Sequence, residues 1–280
     1  MTPEPPAARR WREQLASWRI PPEILAGAAS SPWTLPVAMF AGRARQQLAA
    51  PSGLSYDRAA EALPAGGSVL DVGAGAGAAS LALRRRAGRI TAVDENAAML
   101  ATFTELAADA GVSTVVVDGR WPDVASVVEV ADVVVCHHVL YNVPDVGPFI
   151  EALTGHARRR VVVEITAHHP TAALNPLWKA LHAIDRPAGP VAADAVAAIA
   201  ETGAVPHWAA WRRPVTREGT SFDELVASTC RRLCLGEDRL GDVEAALREL
   251  GVRPDRPVLS VDGPGEPMRE LVTIWWDTVG

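Results

Sequence analysis

Between residues 69 and 165 the chain alternates short apolar, β-branched runs with longer stretches whose apolar residues recur at helical spacing. The runs lie at 69–72, 90–93, 115–117, 133–135 and 161–165, and the stretches 78–86, 97–110, 123–129 and 146–157 between them predict helices. Each run is continuously hydrophobic, the mark of a strand buried on both faces. The pattern predicts an α/β fold, a doubly wound parallel sheet with crossover helices.

Outside this block the rhythm changes. Trp11, Leu15 and Trp18 share one helical face, Pro21-Pro22 stops that helix and presets another over 23–29, and further prolines at Ser31-Pro32-Trp33 and Leu35-Pro36 precede a helical stretch over 37–48. Residues 1–51 are expected to form a helical cap or lid, and 52–280 the main domain. After residue 165, helices are expected over 175–184, 194–202, 222–235 and 240–250, and strands over 207–213 and 270–276. Pro254-x-x-Pro257 and Gly263-Pro264-Gly265 break the chain before the last strand, leaving helical insertions near 171–200 and 216–267.

The first strand runs straight into Asp71-Val-Gly73-Ala-Gly75-Ala-Gly77. Glycines in such a turn reach positive φ and present bare backbone to a ligand, and a helix opening there points free N–H groups at an anionic group. Asp71 adds a fixed acceptor that suits a ligand amine. The second strand ends at Asp94, whose carboxylate has lone pairs enough for two ribose hydroxyls, or caps the following helix. The third ends in Asp118-Gly119-Arg120-Trp121, and the fourth in Cys136-His137-His138-Val139-Leu140-Tyr141. Ligands bind outside the carboxyl ends of the strands of open α/β sheets, so His137, His138 and Tyr141 are delivered to the crevice, as is Glu164 from the fifth strand.

Composition removes several alternatives. The 280 residues are 49% hydrophobic and 21% charged, ordinary for a globular chain with a core. No long apolar span or basic-then-apolar leader occurs, so a soluble, cytoplasmic protein without a membrane partner is expected. A formal net charge of −6 argues against a general nucleic-acid binder. Cys136, Cys230 and Cys234 lack metal-ligand spacing, and Cys230 and Cys234 fall on one helical face where packing is expected. Arg84-Arg85-Arg86 and Arg158-Arg159-Arg160 are read as cations at helix ends.

Asp71-x-Gly73-x-Gly75-x-Gly77 resembles the first motif of the class I methyltransferases that use S-adenosylmethionine (SAM), and the likeness extends over about residues 69–165. The same glycines with Ala78 also satisfy the dinucleotide fingerprint, so an NAD-dependent oxidoreductase stays open, as does a non-catalytic SAM-binding protein. The resemblance implies a seven-stranded, mostly parallel sheet in the order 3-2-1-4-5-7-6 with the last strand antiparallel. It implies SAM as cofactor, held by Asp71, Gly73, Gly75, Gly77, Asp94, Glu95, Met99, Asp118, Gly119, Arg120, Trp121 and His137, with Asp118 accepting from the adenine amine and Trp121 or Met99 over the ring. The fourth strand is similar to the small-molecule branches, implying a small methyl acceptor with an O, N or C nucleophile. His138 is the first choice of base, with Tyr141 and Glu164 behind it; no metal is expected. His168 and His169, at the end of the fifth strand, are secondary candidates for metal ligands with His137 and His138, and Trp178 with His182 for lining the acceptor pocket or packing the lid.

Overall fold

The computed structural model of the protein describes residues 5–33, 36–214, 221–259 and 268–278. Leu35 and the break at Gly263-Pro264-Gly265 lie outside the described residues. Seven strands form one sheet: β1 (Gly67–Val72), β2 (Ala87–Asp94), β3 (Thr114–Asp118), β4 (Ala131–His137), β5 (Ala157–Thr166), β6 (His207–Pro214) and β7 (Met268–Asp277). Their order is β3-β2-β1-β4-β5-β7-β6, with β7 antiparallel to both neighbours, as the resemblance implied.

Alternate residues of the strands supply two cores. Leu70, Val72, Val134, Cys136, Val161 and Val163 face α1 (Pro6–Ser17), α6 (Val146–Gly155) and α8 (Ala192–Glu201). Val69, Ile90, Val133, Val135 and Val162 face α3 (Val37–Ala49), α4 (Leu54–Ala62) and α5 (Ala97–Asp109). Burial on both sides explains the continuous apolar runs of β1, β4 and β5. The run in β3 has a different reason: β3 is the open edge, and Val115 and Val116 are 36% and 39% exposed.

Three expectations are corrected. The stretch 78–86 is not an α-helix but a series of turns with a short 3-10 helix at Leu81–Leu83. The Ser80 N–H is taken by the Asp71 carboxylate, and after one four-residue bond, Leu81 N–H to Gly77 O, the bonds close over three residues, Leu83 N–H to Ser80 O and Arg84 N–H to Leu81 O. Likewise 123–129 holds only a 3-10 turn, Ala125–Val127. The arginine triplets do not close their own helices. Arg84 donates to Leu48 O at the end of α3, Arg86 donates to Leu63 O at the end of α4, and Arg158 to Arg160 lie within β5. Orphan carbonyls at two helix ends are thereby satisfied from a different part of the chain.

Helix α4 was not anticipated. Its Leu-Ser-Tyr-Asp opening gives little periodic signal over nine residues, yet Ser55 and Ala59 are buried against the sheet. The short α2 (Pro22–Ala26) follows α1. A third core joins α7 (Asn175–His182), α9 (Phe222–Arg232) and α10 (Leu240–Glu249) through Leu177, Trp178, Leu225, Val243 and Leu247, with Cys230 and Cys234 as free buried thiols. Helix α1 is fastened to the main sheet's helices: Glu201 of α8 accepts from the Ala7 and Ala8 N–H groups at its first turn, and the Trp11 indole donates to Val143 O at 2.8 Å. Among the described residues no helix is long and apolar enough to cross a membrane.

Candidate active site

The glycine loop leaves β1 with positive φ at Gly73, Gly75 and Gly77. A Cβ on Gly73 would lie 2.3 Å from Val139 Cγ2, so the turn and the segment after β4 are in contact only because that atom is absent. Asp94 ties the loop to the end of β2: one carboxylate oxygen accepts from Gly75 N–H at 2.8 Å and the other from Asn96 N–H at 2.9 Å. Asn96, not Asp94, caps α5. The surface over Gly75 is bare except for Phe40 of α3, 3.8 Å from where a Cβ would stand.

Asp71 lies beneath this loop, 1% exposed, accepting from the Ser80 hydroxyl at 2.6 Å and its N–H at 3.3 Å. Burial, opposed by Ser80, lifts its carboxyl to about 7. An acid whose pKa is raised by folding holds an extra proton in the folded state, so its contribution is fully present below the unfolded aspartate range and is lost as pH rises toward 7. From about pH 5 to 8 the loss amounts to about 3 kcal/mol. Asp71→Asn removes that slope, so the stability of the variant relative to the native chain should increase by this amount between about pH 5 and 8 in paired urea melts. Parallel pH curves would mean that Asp71 ionises in the fold at an ordinary pH.

At the neighbouring strand end Asp118 stands opposite Asp94 in the parallel register, and Gly119 N–H donates to Asp94 O at 3.0 Å. Asp118, Arg120 and Glu95 are exposed around this corner, and Met99 is buried at the start of α5. Trp121 is 5% exposed within the core on the α6 side, its ring edge-on to His156 at 4.8 Å.

The ends of β4 and β5 bring three polar side chains together. His138 adopts φ 62°, a left-handed conformation uncommon for a side-chain-bearing residue. That backbone turn lets its N–H donate to Glu164 O at 2.7 Å while its Nε2 lies 3.0 Å from Glu164 Oε1. Burial alone would raise the Glu164 carboxyl, but His137, His138 and the Ser55 hydroxyl more than offset this and hold it well below the usual range. An ionised carboxylate only accepts, so His138 Nε2 carries the proton and Nδ1 is left as the basic nitrogen. Burial lowers the pKa of His138, with Glu164 pulling it back, and it lowers His137 to about 4. His137 Nε2 is buried with no hydrogen-bond partner among the described residues.

Glu164 is itself held by a chain of donors. Trp211 Nε1–H donates to Thr273 Oγ1 at 2.9 Å, Thr273 and Ser55 hydroxyls are 2.7 Å apart, and Ser55 hydrogen-bonds Glu164. With Trp211 able only to donate, the direction propagates from β6 through β7 and α4 to the carboxylate. Tyr141 is differently engaged. Its hydroxyl donates to Thr166 O at 2.9 Å, its ring stacks on Trp11, and burial pushes its pKa up.

A family model described as a methyltransferase domain matches residues 70–162. Residues 70–162 therefore match a methyltransferase domain, on a sheet of the order that the resemblance implied. The match spans β1 to the middle of β5, the segment holding the glycine loop, Asp94, Asp118 and both histidines. Among solved structures, the YcgJ protein of Bacillus subtilis is 16% identical over 84% of this chain and 99% of its own, with a TM-score of 0.53. A protein of Bacillus halodurans C-125 assigned as a methyltransferase is 13% identical over 81% of this chain and all of its own, with a TM-score of 0.51. Both share the fold. No curated protein sequence matches significantly.

SAM is the methyltransferase's cofactor, and the residues present fit it. The loop offers bare backbone at Gly75, two carboxylates stand side by side at the ends of β2 and β3, and the orphaned His137 Nε2 lies at the adjacent strand end. The secondary candidates are placed elsewhere. His169 stacks on Trp18 and bonds Thr171, His168 is exposed, and Trp178 stacks on His182, whose Nε2 meets Leu233 O, so that this pair packs the third core. No group of three or more potential metal ligands occurs among the described residues. Arg43, Ser55, Thr273 and Trp211 join the His138–Glu164 cluster but carry no sequence signal, being single residues delivered from α3, α4 and the last two strands.

Proposed function

We propose that the protein transfers the methyl group of SAM to an O, N or C nucleophile of a small molecule, with His138 as the base facing the acceptor and Glu164 orienting it. The observation that carries this reading is the left-handed turn at His138, which points Nε2 at the Glu164 carboxylate 3.0 Å away and frees Nδ1 at the sheet edge that holds the glycine loop. Gly73, Gly75 and Gly77 would take the amino-acid end of the cofactor, with Asp71 bracing the loop from below. Asp94 and Glu95 would serve the ribose, and Asp118, Gly119, Arg120 and Met99 the adenine. Trp121 would act from beneath this corner, and His137 beside the ribose. Bound SAM supplies an electrophilic methyl on its sulfonium, so the protein's work is alignment and removal of the acceptor's proton.

A small acceptor is favoured because α3 roofs the approach, with Phe40 over Gly75 and Arg43 Nη2 3.4 Å from His138 Nε2. Tyr141 is a weaker base, since its proton is committed to Thr166 O. In this reading residues 1–51 form a cap and the segments near 171–200 and 216–267 select the acceptor. The test is formation of S-adenosylhomocysteine (SAH) across a panel of small acceptors, by native protein and His138→Ala. Acceptor-dependent SAH formation that falls by about 10²-fold in the variant, with SAH affinity preserved, is expected for loss of a general base. SAM binding without turnover on any acceptor would leave a non-catalytic SAM-binding protein, and NAD binding in place of SAM would return the oxidoreductase reading.

A further inference from the structure

Arg43 and Arg213 both act on His138, and Arg269 lies beside Arg213. Arg43 projects from α3 to within 3.4 Å of the His138 ring. Arg213 and Arg269 face each other in the β6–β7 register, and that register places them past the end of β5, since Leu271 already pairs with Thr166, the last residue of β5. Burial, and after it the like charges of Arg213 and Arg269, lower Arg43 to about 10, leaving it a cation at neutral pH.

Arg43 and Arg213 have no free carboxylate partner among the described residues. Glu164 is the carboxylate of this cluster, and His138 and Ser55 already occupy it. Neither Arg43 nor Arg213 makes an ion pair among the described residues, and Arg43 only approaches His138 Nε2, which carries a proton and cannot accept from a guanidinium. Half-buried guanidinium groups that feel each other's charge, with the nearby carboxylate already engaged, are stabilised by an anion that accepts in their planar fork.

We propose that Arg43 and Arg213 form an anion subsite for the methyl acceptor, which carries a carboxylate or phosphate group placed so that its nucleophile reaches His138. The inference rests on the reading of the site as that of a small-molecule methyltransferase. The cofactor's own carboxylate is the other source of this chemistry, and sheet order argues against it. Arg213 stands on β6, four strands from β1 in the order β1-β4-β5-β7-β6, or roughly 19 Å from the glycine loop at the usual strand spacing.

The experiment follows the arginine Nε–Hε resonances of protein saturated with SAH while inorganic phosphate is added at constant ionic strength, for native protein, Arg213→Gln and Arg43→Gln. Saturable shifts in the native SAH complex are expected, with phosphate affinity reduced about tenfold or more in Arg213→Gln and SAH affinity of that variant unchanged. Absence of saturable binding in the SAH complex, or equal phosphate affinity in Arg213→Gln, would overturn the subsite. Phosphate binding that SAH displaces would assign the arginines to the cofactor's carboxylate and overturn it too. Each of these failures leaves methyl transfer standing as long as SAH binds and small acceptors turn over, so the two readings fail separately.

Discussion

Glu164→Gln is expected to lower kcat by about 10²-fold or more while changing SAH affinity little, because the substitution removes charge without removing volume. The Glu164 carboxylate accepts from His138 Nε2, and in the proposed reaction it would stabilise the imidazolium formed when Nδ1 takes the acceptor's proton. A Gln amide in that place can present its NH2 to Nε2, which favours the opposite tautomer and puts the proton on the nitrogen that must be basic. The pH profile separates this from a structural role. The base works neutral, so activity falls as pH drops through the His138 pKa, already lowered from its ordinary value by burial and supported by Glu164. Removing the carboxylate lowers that pKa further, and the acid limb should move to lower pH in Glu164→Gln while the plateau drops. A variant that melts earlier yet keeps the native plateau and limb would make Glu164 a packing residue. The double variant with His138→Ala should lose no more than the worse single one, since the two act as a unit.

The central sheet was legible because five apolar runs with glycine and acidic residues at their ends are local signals, and two-sided burial writes them continuously. The site was half legible for the same reason. Gly73, Asp94, Asp118 and His138 sit at strand ends, where sequence order and spatial order coincide. Arg43, Ser55 and Thr273 reach the same place by tertiary packing from segments at either end of the chain, and nothing in their neighbours marks them. Helix 78–86 was misread because its alanines and leucines satisfy helical periodicity, while a single tertiary bond, Asp71 to Ser80, redirects the N–H on which the first turn depends. The segment after β3 was misread through Trp121, which is drawn into the core against His156 and shortens the helix to one turn.

Gly73→Ala is expected to abolish measurable SAM binding at concentrations that saturate the native protein and to destabilise the fold by on the order of 2–4 kcal/mol. Two separate costs add. Gly73 holds φ 70°, where an L side chain pays about 1 kcal/mol or more, and the new Cβ would stand 2.3 Å from Val139 Cγ2, far inside contact distance. Val139 directly follows His138, so relief of the clash must move either the glycine loop or the turn that presents the base. Gly73→Ala with Val139→Ala divides the two terms: deleting Cγ2 removes the overlap but not the backbone strain, so the double variant should regain part of the stability and of the SAH affinity lost by the single one. Titration calorimetry and urea melts on the native protein and both variants measure both. If Gly73→Ala binds SAH with native affinity, the cofactor does not lie against this loop. If the double variant recovers nothing, the contact between the loop and Val139 is not what couples the cofactor side of the sheet to His138.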